Sequence, residues 1–200
     1  MRLLATVVGL ALLPAATAFA QFGNPAGMAP DTMKESPGKP MPHQTNYQDR
    51  LFAQLTAAGG LAEVRFGELA GKSENAAVKD FARRMVDDHQ RANDRLKSLA
   101  EAAKMPLPPG LDAEHEEMRT RLEKLTGVEF DLAYISGQIV EHQKTVQLLE
   151  WEIGSGQDPD VQHFASDILP AVLEHLRMAR DVRSKLVNPA LADASGQSKK

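Results

Sequence analysis

The sequence predicts an all-α fold: a four-helix bundle made of two antiparallel hairpins, with a short extra helix in the crossover between them. Three observations carry this. Four long stretches repeat apolar residues in steps of three and four, the period of an amphipathic helix. Short turns rich in Gly, Ser and Asp-Pro join these stretches in pairs, and a Pro-rich passage separates the pairs. No stretch alternates apolar and polar residues as a half-buried strand does. Hydrophobic residues make up 42% of the 200 and aromatics only 5%. Leu, Val, Ile and Ala must therefore fill most of a core sufficient for one domain.

Residues 1–20 read as a secretory signal peptide. Arg2 is the charged start, Leu3 to Leu13 the apolar segment, and Pro14 breaks it. Ala18 and Ala20 place small residues where a signal peptidase reads, so cleavage is expected after Ala20. The competing reading is a membrane anchor, but the apolar run falls short of the roughly 20 residues a span needs. No Cys occurs anywhere, which excludes lipid anchoring through a cysteine, disulfides and thiolate ligands. The expected location is a bacterial periplasm or the cell exterior, with no membrane span in the mature protein. The formal charge is −4, and −5 once Arg2 leaves with the leader. An acidic surface without a basic stripe argues against nucleic acid as a partner.

Residues 21–46 form a Pro-, Gly- and Met-rich linker with no periodicity. Met28, Met33, Met41 and His43 have donor atoms that suit copper, but their spacing is irregular and a linker without function explains them. A first helix is expected from Tyr47 to Gly71, with Leu51, Leu55, Ala58, Ala62, Phe66 and Leu69 on its core stripe and Glu63 beside it. Gly59-Gly60 falls within it, where each Gly costs about 1 kcal/mol relative to Ala. That points to a kink or to another backbone passing close. Ser73 is a candidate N-cap for a second helix, Asn75 to Lys104, whose stripe runs Val78, Phe81, Met85, His89, Ala92, Leu96 and Leu99. Arg83, Arg84, Asp87, Arg91 and Arg95 lie on its solvated face.

Three prolines between Met105 and Gly110 end that helix. Asp112 then caps a short helix built on Met118, Leu122 and Leu125, ending at Gly127. A further helix follows from Val128 to Ile153, with Leu132, Ile135, Ile139, His142, Val146 and Leu149 on one face. Asp158-Pro159 opens the last helix as N-cap and first-turn proline. Its stripe is Val161, Phe164, Ile168, Val172, His175, Ala179, Val182 and Leu186, and Pro170 is expected to bend it locally. The helical domain thus covers 47–188, and 189–200 is a polar tail expected to be disordered. Two hairpins joined by one long crossover make the ferritin-like arrangement.

Neighbouring helices in such hairpins run antiparallel, so their midpoints share one level. Glu63, His89, His142 and His175 each lie near the middle of their own helix, which brings all four into one layer of the core. A buried polar group without a partner costs about 1–3 kcal/mol. Three imidazoles and a carboxylate in one layer are explained if they hold a shared ion, and this donor set suits a single zinc, copper, iron or manganese ion. Asp88, Glu141 and Glu174 precede the three histidines and are candidate acceptors for imidazole N–H groups. The competing reading is a metal-free layer of His–carboxylate bonds, closed by Tyr134 and Gln138. His115 sits among glutamates and reads as solvated. Asp160 and His163 read as helix-start chemistry, and Tyr47 and Trp151 as packing or interface residues.

The chain also resembles a bacterial family, domain-of-unknown-function family 4142. The segments that carry the resemblance are Gly60-Leu61-Ala62-Glu63-Val64, Val78-Lys79-Asp80-Phe81-Ala82, Met85-Val86-Asp87-Asp88-His89, Phe130-Asp131 with Tyr134, His142, Leu169-Pro170 and His175-Leu176. The resemblance implies membership of the ferritin-like superfamily and export, under a frequent outer-membrane label that fits no barrel-forming pattern here. It implies no settled activity. Di-iron proteins of ferritin-like fold use Glu-x-x-His pairs, but Val86, Ile139 and Val172 stand where those acids belong. A His-rich mononuclear site fits better than a di-iron centre. Three functions therefore compete: a metal-binding protein of metal handling or stress protection, a redox metalloenzyme, and a metal-free scaffold that binds a partner or a second copy of itself.

Overall fold

The computed structural model describes residues 41–188. The expected signal peptide, residues 21–40 of the linker, and the tail 189–200 lie outside the described residues. Five helices follow one another: α1 (Tyr47–Ala70), α2 (Ala76–Ala102), α3 (Ala113–Glu123), α4 (Gly127–Ser155) and α5 (Pro159–Val187). Among the described residues there is no strand. Helices α1 and α2 form one hairpin and α4 and α5 the other. The hairpins meet through α1 against α4 and α2 against α5, and the crossover helix α3 packs on α1 and α4. The two longest helices have 29 residues each, or roughly 40 Å at a rise of 1.5 Å per residue.

Local chemistry sets the helix starts. Asn46 Oδ1 accepts the Asp49 N–H at 2.8 Å and Asp49 Oδ2 accepts the Asn46 N–H at 2.7 Å, a reciprocal capping box. Asp112 accepts the His115 N–H at 2.9 Å, and Asp158 accepts from Asp160 and Val161 ahead of α5. Ser73 does not cap α2. Its hydroxyl donates to Asp131 Oδ1 at 2.6 Å, and Asn75 takes the N-cap position instead. Gly127, expected to end the short helix, adopts φ +57° at the start of α4, where a residue with a Cβ is strained. Helix α5 runs unbroken through Pro170.

The inward face of α1 differs from the expected stripe. Ala58, Ala62 and Phe66 of that stripe are buried as expected, but so are Phe52, Glu63 and Ala70 of the neighbouring row, while Leu51, Leu55 and Leu69 are only partly buried. The helix is turned so that its two phenylalanines reach the bundle axis, and this carries Glu63 inward with them. Gly59 and Gly60 do not mark a backbone approach. A Cβ at Gly59 would meet nothing, and one at Gly60 would meet the movable end of Asn93. The close crossing is at Gly67, where a Cβ would lie 2.7 Å from Val86 Cγ2 and 3.0 Å from the Ala82 carbonyl oxygen. Gly59→Ala should therefore stabilise the fold by about 0.5–1 kcal/mol. Gly67→Ala should destabilise it by about 1–2 kcal/mol, because overpacking against a fixed backbone costs about 1–3 kcal/mol and exceeds the helix-propensity gain. Urea titration of both variants decides, and equal shifts in their midpoints would refute this assignment of roles.

The core divides into two apolar clusters. One holds Phe52, Leu96, Leu149, Phe164 and Val172. The other holds Phe66, Phe81, Met85, Phe130, Tyr134, Ile135 and Ala179. Between them each long helix places polar residues: Glu63 on α1, His89 on α2, Gln138 and His142 on α4, His175 on α5. This layer is the candidate site.

A second polar feature closes one end of the bundle. Asp49 Oδ1 accepts the Gln157 N–H at 2.8 Å and the Asp158 N–H at 3.3 Å, tying the start of α1 to the α4–α5 turn. Glu152 is buried beside them, and its carboxyl oxygens have no N–H donor. Burial, then the neighbouring Asp49 and Asp158 carboxylates, push its pKa up to about 9.

Candidate metal centre

The three histidines face one another across the bundle axis. Ring centroids lie 5.6 Å apart for His89 and His142, 5.5 Å for His89 and His175, and 5.4 Å for His142 and His175. One nitrogen from each ring lies within 4.8 Å of the other two. His142 and His175 are buried, and His89 is partly so.

The outer nitrogens of two rings are spoken for. His142 Nδ1 lies 2.8 Å from the Gln138 carbonyl oxygen. His175 Nε2 lies 2.8 Å from Asp88 Oδ2. Both oxygens can only accept, so these ring nitrogens carry the protons and the tautomers follow. That leaves His142 Nε2 and His175 Nδ1 with free lone pairs. They and His89 Nε2 are buried and have no hydrogen-bond partner. Such orphaned ring nitrogens are rare in folded proteins and call for a cause.

Electrostatics keep the rings neutral. Burial, then repulsion from His175, lowers the pKa of His142 to about 4. Burial and the two neighbouring imidazoles lower His89 well below its ordinary value. Burial lowers His175 despite the opposing pull of Asp88. Neutral rings offer lone pairs to a metal without first releasing a proton. Asp88 is burdened by partial burial, yet its hydrogen bonds to His175 and Arg84 outweigh this and hold it ionised below its usual range. Arg84 and Arg91 both pair with it. The carboxylate–histidine arrangement orients the ring as in known metal sites.

Glu63 Oε1 lies 3.7 Å from His142 Nδ1, and Glu63 Oε2 is buried without a partner. Burial raises its pKa to about 8, with Glu141 adding to this and the Gln138 amide opposing it. Glu63 therefore stands at the layer as a neutral acid, outside the group of three converging nitrogens. The candidate acceptors divide three ways. Asp88 holds His175. Glu141 instead meets Lys144 at 3.1 Å and His115 Nε2 at 3.5 Å. Glu174 pairs with Arg177 on the exposed face of α5.

His115 is buried, contrary to the solvated reading. It falls at i, i+3, i+7 with Met118 and Leu122, so it shares the apolar stripe of α3, a signal the surrounding glutamates mask. Its ring lies 6.1 Å from Phe66. Burial disfavours its cation, but Glu141 and Asp112 outweigh this and raise its pKa. Tyr134 is buried in the adjacent apolar cluster with its hydroxyl unpartnered, and burial raises its pKa well above the ordinary value.

A cavity of about 280 Å³ adjoins the layer, with His89, His175 and Glu63 in its wall. Leu55, Leu96, Leu148, Phe164, Ile168 and Val172 supply its apolar lining. No helix among the described residues is long and apolar enough to cross a membrane.

No curated protein matches the sequence. Among solved structures the fold is similar to that of a DUF305 fragment from Deinococcus radiodurans, with a TM-score of 0.65 and 15% identity over 72% of this chain and 99% of that one. At that identity the likeness concerns the helical bundle alone. The sequence profile of a family described as "Domain of unknown function (DUF4142)" matches residues 34–182. That span takes in the whole histidine layer, and the chain belongs to this family.

Proposed function

We propose that this protein binds one transition-metal ion in the middle of its helical bundle, through His89 Nε2, His142 Nε2 and His175 Nδ1. The observation that carries this is the convergence of three buried, unpartnered imidazole nitrogens from three helices. Three neutral imidazoles favour zinc or copper over manganese among divalent ions. Glu63 is the nearby carboxyl group: as a neutral acid it would donate a hydrogen bond to a water on the ion, and only on losing its proton would it complete the ligand set. The proposed setting is the periplasm or the cell exterior, supported by the leader-like residues 1–20, and the proposed role is metal handling or stress protection.

The test is elemental analysis of protein purified without a histidine tag. Wild type should retain close to one metal ion per chain, and the double variant His142→Ala/His175→Ala should retain none. Equal, negligible metal in both would leave a metal-free helical scaffold as the better reading.

A further inference from the structure

His115 is a buried titratable group that the proposed centre does not use. It lies on the apolar stripe of α3 with Met118 and Leu122, and its ring faces Phe66 of α1. Its Nδ1 lies 2.9 Å from Asp112 Oδ1, and its Nε2 lies 3.5 Å from Glu141 Oε2. Burial opposes the ionisation of both acids, but hydrogen bonds to His115, joined at Glu141 by Lys144, outweigh it and hold them below their usual range. A carboxylate can only accept, and a neutral imidazole carries one proton for its two nitrogens. Only the imidazolium therefore satisfies both neighbours. Asp112 caps α3 itself, whereas Glu141 stands on α4. The cation thus ties the crossover helix to the bundle.

Beside this tie the α3–α4 seam is a groove of about 710 Å³, floored by Met118, Leu122, Leu132, Ala133 and Val140. Met118 crosses the seam to Gly137, where a Cβ would collide with the thioether methyl. At the rim Lys144 pairs with Glu141 at 3.1 Å and with Glu114 at 2.6 Å. The charged and titratable groups around the His115 ring are thus Asp112 on α3, Glu141 and Lys144 on α4, and Glu63 on α1, which feels the ring's charge. Glu141 is in the wall of this groove and also of the cavity beside the histidine layer. The residue that His115 holds is the partition between the two.

We propose that α3 is a pH-operated strap across the α1–α4 seam, fastened to Glu141 while His115 is protonated and released when that proton leaves. On release Glu141 keeps Lys144 alone, α3 loosens, and the groove opens toward the histidine layer. Burial works against the cation, and Glu141 and then Asp112 outweigh it, so the ring holds its proton above its ordinary pKa of 6.5. The tie's contribution to stability is therefore fully present below about pH 6.5 and is lost as pH rises through the raised native pKa. The strap does not depend on a bound ion.

The test is amide hydrogen exchange of the full mature chain with a chelator present, at pH 6 and at pH 8.5, together with an NMR titration of the His115 ring. Exchange is expressed as protection factors of Ala113–Glu123 relative to those of α4, which corrects for the pH dependence of exchange itself and for any global change in stability. Protection of α3 should fall at least about tenfold from the lower to the higher pH, the scale of one hydrogen bond to a charged group. The ring should titrate above 6.5. His115→Gln should show the weaker protection at both pH values. The proposal is overturned if wild-type α3 protection is unchanged with pH, if His115→Gln loses protection with pH as the wild type does, or if the ring titrates at or below its ordinary value. Should His115→Gln not fold, the wild-type exchange and the ring titration decide by themselves.

Discussion

Replacing His142 and His175 together by leucine is expected to make the metal-free protein more stable by about 1 kcal/mol and to abolish stabilisation by added zinc. Each ring presents a buried nitrogen without a partner, and such a group costs about 1–3 kcal/mol. Leucine removes that cost at similar volume. The replacement forfeits the hydrogen bond of His142 to Gln138, which contributes about 1 kcal/mol, and that of His175 to the ionised Asp88, which contributes about 1.5–3 kcal/mol. Asp88 is not stranded by the change, because Arg84 and Arg91 still pair with it. In the wild type, zinc at 100 times its Kd should add about 2.7 kcal/mol. Urea denaturation with zinc and with a chelator measures both effects. A gain in apo stability is common to a metal site and to a metal-free scaffold, and the zinc-dependent shift separates them. If zinc stabilises the double variant as much as the wild type, the ion binds elsewhere. If the double variant is less stable without metal, the layer is a satisfied polar network and the orphaned nitrogens have been misjudged.

Glu152→Gln is expected to stabilise the protein at alkaline pH and to flatten its dependence on pH. The native pKa of Glu152 is about 9 and its ordinary value is 4.5. Between those limits the native state holds a proton that the unfolded chain has released. Stability therefore falls as pH rises through this window: the contribution is fully present below about 4.5 and lost by about 9. Glutamine keeps the shape and the hydrogen-bonding head without a charge to expel. At pH 8.5 the variant should be more stable by about 1–3 kcal/mol, the usual size for one ill-satisfied buried polar group, and near pH 5 the two should be alike. Thermal unfolding at both pH values checks this. Glu63, raised to about 8, contributes a slope of the same sign to both proteins, so the difference between them isolates Glu152. Parallel pH profiles would show that Glu152 is ionised and compensated in the native protein.

Glu152 also shows where reading the sequence stops. Its position places it near the buried face of α4, but nothing in that helix announces two further acids beside it. Asp49 is delivered by the start of α1 and Asp158 by the start of α5. Asp158 was legible as an N-cap, Asp49 proves to be the reciprocal partner in the Asn46 capping box, and their second role arises because two helix N-termini meet at one end of the bundle. Acids are tolerated there because those N-termini carry partial positive charge. The histidine layer was more legible. His89, His142 and His175 each interrupt an otherwise apolar stripe at the midpoint of a long helix, and antiparallel hairpins align midpoints. Glu63 was placed beside the stripe and lies on the buried row, because the choice between two adjacent rows depends on how the whole rod is turned. His115 was misread because charged neighbours hid a three-residue apolar pattern.

The sequence by itself determined the elements of this protein: five helices, their pairing into hairpins, the Asp112 and Asp158 caps, and the level at which three imidazoles stand. These follow from apolar periodicity and from short-range capping chemistry, which involve only residues a few positions apart. The tertiary structure decided which nitrogen of each ring points inward. It also decided that Asp88 holds a histidine while Glu141 turns to the crossover helix and Glu174 to solvent, and that a cavity opens beside Gly59. Adjacent positions on a helix differ by about 100°, so a stripe leaves the rotation of each rod open by nearly one residue. Only the close packing of four rods against one another removes that freedom.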